Sequence, residues 1–239
     1  MNDRLFLVGV GPGSHNYLTD IVKQIIIKSS YVIGYHYTLS TIRHLLDSKR
    51  QNIFEVTMVS QDQVYQQVYN QMKNGEYCTI PFTGDVNFSE SEVVNRLLEI
   101  FGDANVEIIP GISSIQVAAS KAKIPLDQST ILTFHVTKDI EQEKNDLVDA
   151  IRSKKSVIML PRPWSGNKEK QFMESDIAHF LRANDIETAK LKVWVFEFLT
   201  GENEKIFKGR VSDLENRSFD PLSVMIIDQV RRRSYMNFD

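Results

Sequence analysis

Three short glycine-containing segments carry the residues whose types and spacing could bind a ligand. Loop one, residues 9–13, reads Gly-Val-Gly-Pro-Gly and directly follows an apolar run. Loop two, residues 83–89, has the carboxylate of Asp85 next to Gly84, and loop three, residues 110–114, joins a Pro-Gly pair to two serines. Glycines allow a sharp turn and a close approach of the backbone to a ligand. A carboxylate in such a loop suits a ribose diol, an ammonium or a sulfonium cation.

A dinucleotide-binding loop is the first alternative for loop one. That motif needs a third glycine where Ser14 stands, and Pro12 removes a backbone N–H that a pyrophosphate would use. It also needs an acidic residue at the end of the second strand. The second predicted strand instead ends with Gly34, Tyr35 and His36. These departures disfavour a nicotinamide or flavin cofactor.

Loops two and three each have a plainer interpretation as turns. Asp85 could form only an Asx-turn with nearby backbone N–H groups, and Ser113 could only cap the helix that follows it. Ligand binding is favoured because all three loops follow predicted strands. The carboxyl ends of parallel strands meet at one edge of a sheet, where α/β proteins bind their ligands.

The elements that must position these loops are predicted from hydrophobic patterning. Buried parallel strands read as apolar runs, and helices show apolar residues three and four apart. The two patterns alternate up to residue 109, which predicts a mostly parallel sheet with helices on both faces. The predicted strands are residues 5–10, 31–34, 53–56, 77–82 and 106–109, and the helices are 19–28, 39–46, 61–73 and 89–101. A capping box of Ser89 and Glu92 is predicted to begin the last helix.

The pattern changes after loop three. A helix over residues 115–121, with Ser113 and Gln116 as its capping box, precedes five further strands. The last three strands follow one another closely, which favours antiparallel pairing. The fold class is therefore α/β, with two α/β domains and a cleft between them; the domains are residues 1–112, with a mostly parallel sheet, and 113–239, with a mixed sheet. The later strands are 131–136, 157–160, 191–198, 205–209 and 223–227, and the helices are 145–152 and 170–182.

Composition excludes several classes of partner. The 239 residues carry a net charge of −3, so no overall basic field attracts nucleic acid or a membrane surface. The three consecutive arginines at 231–233 are interpreted as a solvated tail. Cys78 is the only cysteine, which rules out an intramolecular disulfide or a cysteine-based zinc site and suits the cytoplasm. No metal site and no membrane span are expected, and Cys78 is expected to lie in the core.

The three loops together resemble the tetrapyrrole methylases, the class III S-adenosylmethionine-dependent methyltransferases. That family opens with a strand and GxGPG, followed by Leu-Thr, which is similar to loop one and Leu18-Thr19. Its Gly-Asp loop and its PGISS-type turn resemble loops two and three. The late family pattern resembles four further positions, Glu197, Glu204, Gly209 and Pro221. The resemblance spans nearly the whole chain and is greatest to the cobalt-precorrin-7 or precorrin-6Y C5-methyltransferases of cobalamin biosynthesis.

Three places depart from the pattern of those C5 enzymes. The usual Asp-Pro after GxGPG is Ser14-His15, and the usual proline after Gly-Asp is Val86. A His-Gly-Arg element is replaced by a segment that ends in Lys138. Lysine offers a point charge where arginine offers a bidentate fork. The identity of the tetrapyrrole is therefore the least constrained part of the prediction.

The resemblance implies S-adenosyl-L-methionine as cofactor, with S-adenosyl-L-homocysteine as product. Catalysis would consist of holding an electron-rich ring carbon in line with the activated methyl group. Asp85 and His15 are the predicted catalytic residues, and histidine suits a proton transfer near neutral pH. The predicted cofactor-binding residues are Pro12, Thr83, Gly84, Asp85, Phe88, Ser113, Ser114, Leu160 and Leu199.

The implied substrate is a flat polycarboxylate, which needs cations around it. The predicted substrate-binding residues are Gly11, Gly13, Arg43, Lys138 and Arg162, with Lys168 and Trp164 as further candidates. His36 and His135 also lie near predicted strand ends or loops, whereas His44 and His179 fall in helical patterns and are expected on the surface. The resemblance further implies a homodimer and allows a separate C15-methylating and decarboxylating subunit.

Four alternatives remain open at this stage. Two lie within the family: a methylase of another ring position, and an enzyme like diphthine synthase, whose substrate is a protein. The others are a nucleotide-dependent oxidoreductase that uses loop one and a binding module without catalysis. The missing acid after the second strand disfavours the oxidoreductase, and the intact loops two and three disfavour the inactive module.

Overall fold

The structure is a computed structural model that describes residues 4–163 and 170–229. Trp164, Lys168 and the arginines at 231–233 lie outside these described residues. The chain divides into two compact units. Unit 1 comprises Met1–Ser114 with Thr200–Glu202, and unit 2 comprises Ile115–Leu199 with Asn203–Asp239.

Unit 1 is built on a five-stranded sheet whose strands all run parallel. The strand order is β3-β2-β4-β1-β5, so β1 lies between β4 and β5. This confirms the parallel sheet predicted from the apolar runs. The strands are β1 (Arg4–Gly9), β2 (Tyr31–Tyr35), β3 (Asn52–Val56), β4 (Tyr77–Phe82) and β5 (Val106–Ile109). Cys78 is fully buried on β4, and burial raises the pKa of its thiol.

Helices cover both faces of this sheet, as predicted. They are α1 (Asp20–Lys28), α2 (His36–Thr41), α3 (Gln61–Gln71) and α4 (Ser91–Phe101). Successive strand residues point to opposite faces, so Leu5 and Leu7 join a core with residues of α3 and α4. Phe6 and Val8 join a second core with residues of α1 and α2. The two cores hold the sheet rigid and thereby fix where its loops begin.

The helices of unit 1 differ from the predicted bounds by one or two residues in α1 and α3, and in a more informative way in α2 and α4. The predicted helix over residues 39–46 is α2 followed by a separate 3-10 turn, Arg43–Leu45. The predicted capping box at Ser89 is wrong as a helix start, because α4 begins at Ser91 with Glu90 as its N-cap. Ser89 has a φ of 78°, whereas an N-cap residue has an extended backbone.

Unit 2 contains a mixed five-stranded sheet, as predicted. Its strand order is β6-β7-β10-β8-β9; β6 and β7 are parallel, and the other pairs are antiparallel. The strands are β6 (Ser129–Thr133), β7 (Ser156–Leu160), β8 (Lys192–Glu197), β9 (Lys205–Arg210) and β10 (Ser223–Asp228). Helices α6 (Glu141–Arg152) and α7 (Glu174–Ala183) pack on its core, and α5 (Ser114–Ala122) begins at the last residue of unit 1.

Several boundaries in unit 2 differ from the prediction: α6 begins at Glu141 and not at residue 145, and β6 begins at Ser129 and not at residue 131. Two further differences have an identifiable cause. Strand β6 ends at Thr133 and not at residue 136, because the Val136 N–H turns back to the carbonyl of Phe134. Helix α7 begins at Glu174 and not at residue 170, because Phe172 is held in an extended bridge to Arg162. In both places a backbone hydrogen bond overrides the local apolar pattern.

A buried acid lies where α7 meets β10. Glu174 is fully buried, and its Oε1 accepts a hydrogen bond of 2.6 Å from the Ser223 hydroxyl. Its Oε2 has no hydrogen-bond partner among the described residues. Burial raises the pKa of Glu174 from 4.5 to about 7, with Glu197 and Asp176 adding to the shift and the Ser223 hydroxyl opposing it. The folded state therefore holds this proton more tightly than the unfolded chain does.

We expect unit 2 to lose stability as the pH rises from about 4.5 to about 7 because of Glu174. A carboxyl whose pKa is raised by folding stabilises the fold fully only below its unfolded pKa, and that contribution is lost as the pH passes the folded pKa. Glu174→Gln should therefore stabilise the protein by up to about 3 kcal/mol at about pH 8, and by much less at about pH 5.

Urea denaturation at the two pH values measures this difference. Glu99→Gln is the control, because Glu99 is exposed on α4. Equal effects of Glu174→Gln at both pH values would contradict the assignment.

Candidate functional site

The three candidate loops lie side by side at one edge of unit 1. Strands β4, β1 and β5 are parallel neighbours, so loops two, one and three leave the sheet at adjacent carboxyl ends. Helix α1 follows β1 on one face of the sheet, whereas α4 follows β4 on the other. Neighbouring strands whose chains leave to opposite faces open a crevice in which α/β proteins bind ligands. Loops one and two therefore lie at the position where such folds bind ligands.

Loops one and two are joined through their backbones. Gly11 N–H donates to the carbonyl of Gly84 at 3.2 Å, and Gly84 N–H donates to the carbonyl of Gly11 at 2.8 Å. Both glycines have positive φ, 79° and 77° respectively, a conformation that other residues rarely adopt. The predicted turns in these loops therefore depend on glycine at both positions.

Loop three packs against the other two without any intervening side chain. A Cβ at Gly111 would lie 2.4 Å from the Gly84 carbonyl oxygen and 2.5 Å from the carbonyl carbon of Gly9. A Cβ at Gly9 would lie 2.6 Å from both the Gly111 nitrogen and the Gly84 oxygen. Carbon atoms cannot approach backbone this closely, so glycines at 9 and 111 are what allow the three loops to meet.

The Asp85 side chain joins loop two to loop three through a hydrogen bond. Its Oδ2 accepts a hydrogen bond of 2.7 Å from Gly111 N–H, and its Oδ1 accepts one of 2.9 Å from Asn87 N–H. The second bond is the Asx-turn considered above, and the first joins residues that are distant in the chain. Since both oxygens bind backbone N–H groups, the geometry gives Asp85 a positioning role in this structure.

The remaining predicted cofactor-binding residues are divided between the two units. In unit 1, Pro12 is buried, whereas Phe88, Ser113 and Ser114 are partly exposed. The Thr83 hydroxyl lies 3.1 Å from that of Thr38 at the start of α2, which links loop two to the end of β2. Two belong to unit 2: Leu160, which is partly exposed at the end of β7, and Leu199, which is buried after β8.

Loop one leads into a pair of histidines. Gly13 has a φ of 154°, and the chain continues into a 3-10 turn, His15–Tyr17. The rings of His15 and His44 meet edge to face with centroids 5.8 Å apart. Arg43 is exposed beside His44. His44 is exposed, as predicted, and the 3-10 turn after α2 also brings it into contact with His15, which the sequence did not predict.

The two predicted substrate cations of unit 2 differ in exposure. Lys138 is exposed, with its Nζ 3.5 Å from Oε1 of Glu143. Arg162 is only 5% exposed, and its Nη2 donates to the carbonyls of Thr137 and Lys138 at 3.1 and 3.0 Å. The buried guanidinium therefore holds the loop that carries Lys138, and Lys138 is the side chain of the two that faces solvent.

A polar cluster next to loop two was missed by the sequence analysis. The Tyr35 hydroxyl donates to Oε1 of Gln61 at 2.6 Å, and Tyr65 lies 3.5 Å from the same oxygen. Burial raises the pKa of the neighbouring Glu90 carboxyl to about 7. No local pattern marks these residues, because they come from β2, α3 and the start of α4.

Two classes of site are absent from the described part of the chain. Within residues 4–163 and 170–229, no group of three or more His, Cys, Asp or Glu side chains is arranged to hold a metal ion. Over the same residues, every helix is too short or too polar to cross a lipid bilayer.

Comparison with known proteins agrees with this fold. Residues 4–215 match the family described as Tetrapyrrole (Corrin/Porphyrin) Methylases. A Methanocaldococcus jannaschii protein named as a probable cobalt-precorrin-7 C(5)-methyltransferase is 30% identical over 225 residues, which cover 94% of this chain and 97% of that protein. The solved structure of the methyltransferase CobJ has a TM-score of 0.75 at 17% identity and covers 98% of each chain. The precorrin-6Y methylase of Archaeoglobus fulgidus has a TM-score of 0.65 at 21% identity, over 95% of this chain and 97% of that one.

This fold, with two α/β units, is thus that of a known class of methyltransferase. The chain belongs to the tetrapyrrole (corrin/porphyrin) methylase family.

Proposed function

We propose that this protein transfers a methyl group from S-adenosyl-L-methionine to a ring carbon of precorrin-7 or cobalt-precorrin-7, at C5, in cobalamin biosynthesis. The observation that carries the proposal is the similarity, over nearly the full length of both chains, to a relative named for that reaction. Loops one, two and three support it, because they meet at the carboxyl ends of neighbouring parallel strands, where α/β proteins bind ligands.

The residues at this edge suit the proposed cofactor. S-Adenosylmethionine supplies an activated methyl group on a sulfonium cation. The partly exposed Thr83, Phe88 and Ser114 combine hydroxyl groups with an aromatic surface, as a ligand with sugar and purine parts requires. Asp85 contributes negative charge next to them and fixes the relative position of loops two and three.

The residues around loop one suit a flat polycarboxylate. Gly13 is partly exposed and presents no side chain, so a planar ring can approach the backbone there. Gly11 is buried against Tyr17, so its contribution is to the shape of loop one. Arg43 is exposed in unit 1, and Lys138 is exposed in unit 2. We propose that Arg43 binds a peripheral carboxylate of the tetrapyrrole and that His15 contacts the ring near the reacting carbon; the role of Lys138 in substrate binding remains a prediction.

Methylation of another ring position is the second candidate. Ser14 and His15 depart from the pattern of the C5 enzymes directly after loop one, the loop we assign to the substrate. A change there would alter which ring carbon faces the methyl donor without altering loops two and three. The homodimer, the separate C15-acting subunit and a cytoplasmic location remain predictions.

A methyl-transfer assay tests the proposal directly. The purified chain is incubated with labelled S-adenosylmethionine and a panel of precorrins and cobalt-precorrins, and the methylated carbon is located by NMR. We expect methylation at C5 of precorrin-7 or cobalt-precorrin-7. Methylation of another carbon would favour the second candidate. Binding of NAD but not of S-adenosylhomocysteine in calorimetry would contradict both and restore the oxidoreductase alternative.

A further inference from the structure

The connection between β8 and β9 contains an unusual backbone conformation. Thr200 has a φ of 68°, and Phe198, two residues earlier, has a φ of 49°. Residues branched at Cβ rarely occupy this left-handed region, because the side chain crowds the backbone. Gly201 is the next residue, and it is not among the glycines with positive φ. Thr200 therefore adopts the strained conformation, although the next residue, Gly201, could adopt it without strain.

The side chain of Thr200 accounts for this arrangement. Thr200–Glu202 belongs to unit 1, although the strands on either side of it belong to unit 2. Within unit 1, the Thr200 Oγ1 accepts a hydrogen bond of 2.9 Å from Ser14 N–H, 186 residues earlier in the chain. Strained backbone persists where surrounding contacts enforce it, and it is concentrated at functional sites.

Ser14 is the point at which loop one turns into the His15–Tyr17 segment. Its Oγ accepts from Asn16 N–H at 3.3 Å, and its carbonyl accepts from Tyr17 N–H at 3.0 Å. The orientation of Ser14 therefore determines the direction in which Gly13 enters the turn and in which the His15 ring reaches His44. A hydrogen bond to the Ser14 amide fixes that orientation from outside the loop.

We propose that Thr200 is a positioning residue for tetrapyrrole binding: its hydroxyl holds the Ser14 amide, so that loop one presents Gly13 and His15 in the geometry the macrocycle requires. This inference rests on the proposed function, which assigns loop one to the substrate. The bond ends on Ser14, which is not one of the predicted cofactor-binding residues, although two of those, Pro12 and Leu199, lie close by in the chain. Its effect should therefore be larger on the tetrapyrrole than on S-adenosylhomocysteine.

Three substitutions at one position separate the hydrogen bond from the backbone strain. Thr200→Val keeps the branched shape but removes the acceptor. Thr200→Gly removes the acceptor and also relieves the positive φ. Thr200→Ser keeps the acceptor and serves as the conservative rescue. The measurements are hydrogen–deuterium exchange of the residue 13–16 amides, the KM for the tetrapyrrole and the Kd for S-adenosylhomocysteine.

We expect Thr200→Val and Thr200→Gly to accelerate exchange at residues 13–16 and to raise the KM about tenfold, the loss expected for one hydrogen bond. The Kd for S-adenosylhomocysteine should stay within about twofold of the parent. Thr200→Gly should unfold at a higher temperature than Thr200→Val while showing the same defect in KM. Thr200→Ser should restore the parental exchange and KM.

Different outcomes would overturn different parts of this inference. Parental exchange in Thr200→Val would show that the hydroxyl does not hold loop one. Accelerated exchange with an unchanged KM would show that the bond does not serve the substrate. A parent protein that binds S-adenosylhomocysteine but methylates no tetrapyrrole would overturn the proposed function, whereas the exchange data would still decide whether Thr200 holds loop one.

Discussion

Gly111→Ala is expected to disrupt the edge of unit 1 at which the three loops meet. The new methyl group would lie 2.4 Å from the Gly84 carbonyl oxygen and 2.5 Å from two backbone atoms of Gly9. An overpacked site usually costs about 1–3 kcal/mol when side chains can move aside. Here the obstructing atoms are all backbone, so we expect at least about 3 kcal/mol of lost stability. Binding of S-adenosylhomocysteine should be lost with it.

Urea denaturation and calorimetry measure the two effects, and Gly75→Ala provides the matched control. A Cβ at Gly75 meets nothing within 4 Å, although its φ is 90°. That variant should lose about 1 kcal/mol from backbone strain alone and keep its affinity for S-adenosylhomocysteine. If Gly111→Ala were no less stable than Gly75→Ala, the contact between the three loops would not be tight.

Asp85→Ala is expected to weaken S-adenosylhomocysteine binding about tenfold to a hundredfold while leaving most of the fold intact. The substitution removes the bonds to Gly111 N–H and Asn87 N–H. A hydrogen bond to a charged group contributes about 1.5–3 kcal/mol, and each 1.4 kcal/mol corresponds to about a factor of ten in affinity. Asp85→Asn should fall between the parent and Asp85→Ala, because its amide oxygen can accept only one of the two bonds.

Calorimetry with S-adenosylhomocysteine checks this, with Asp139→Ala as the control. Asp139 makes a local bond of the same type, in which its Oδ1 accepts from Glu141 N–H at 2.9 Å. If both variants kept the parental affinity, Asp85 would have no more than the local turn-forming role. A large loss in Asp85→Ala alone would assign the effect to the bond with Gly111.

Local sequence patterns were sufficient to predict the elements that carry the site. Strands β4 and β5 have the predicted ends, because residues 77–82 and 106–109 are apolar runs with clear turn signals on both sides. The position of each loop follows from the end of its strand. These features depend on neighbouring residues, and hydrophobic patterning reports on such features directly.

Partners that are distant in the chain could not be predicted in the same way. Nothing near Asp85 indicates that its carboxylate accepts from Gly111, and nothing near Thr200 indicates Ser14. The same limit applies to the contact between His44 and His15, both of which are exposed. Each of these contacts depends on which distant segments the fold brings together, and the sequence of a single element contains no information about that.

The strand order of unit 1 also constrains how the protein folds. Leu5 pairs with Val106, and Ser14 is held by Thr200, so the first strand is completed by segments made much later in the chain. Contacts between such distant segments carry a large loop-closure entropy and form late in folding. During synthesis on the ribosome, one side of β1 therefore stays unpaired until the strand that begins at residue 106 has been made. The Ser14 amide lacks its partner until residue 200 has been made. Affinity for a ligand at this edge is consequently a property of the completed chain, and no amino-terminal fragment that ends before β5 can possess it.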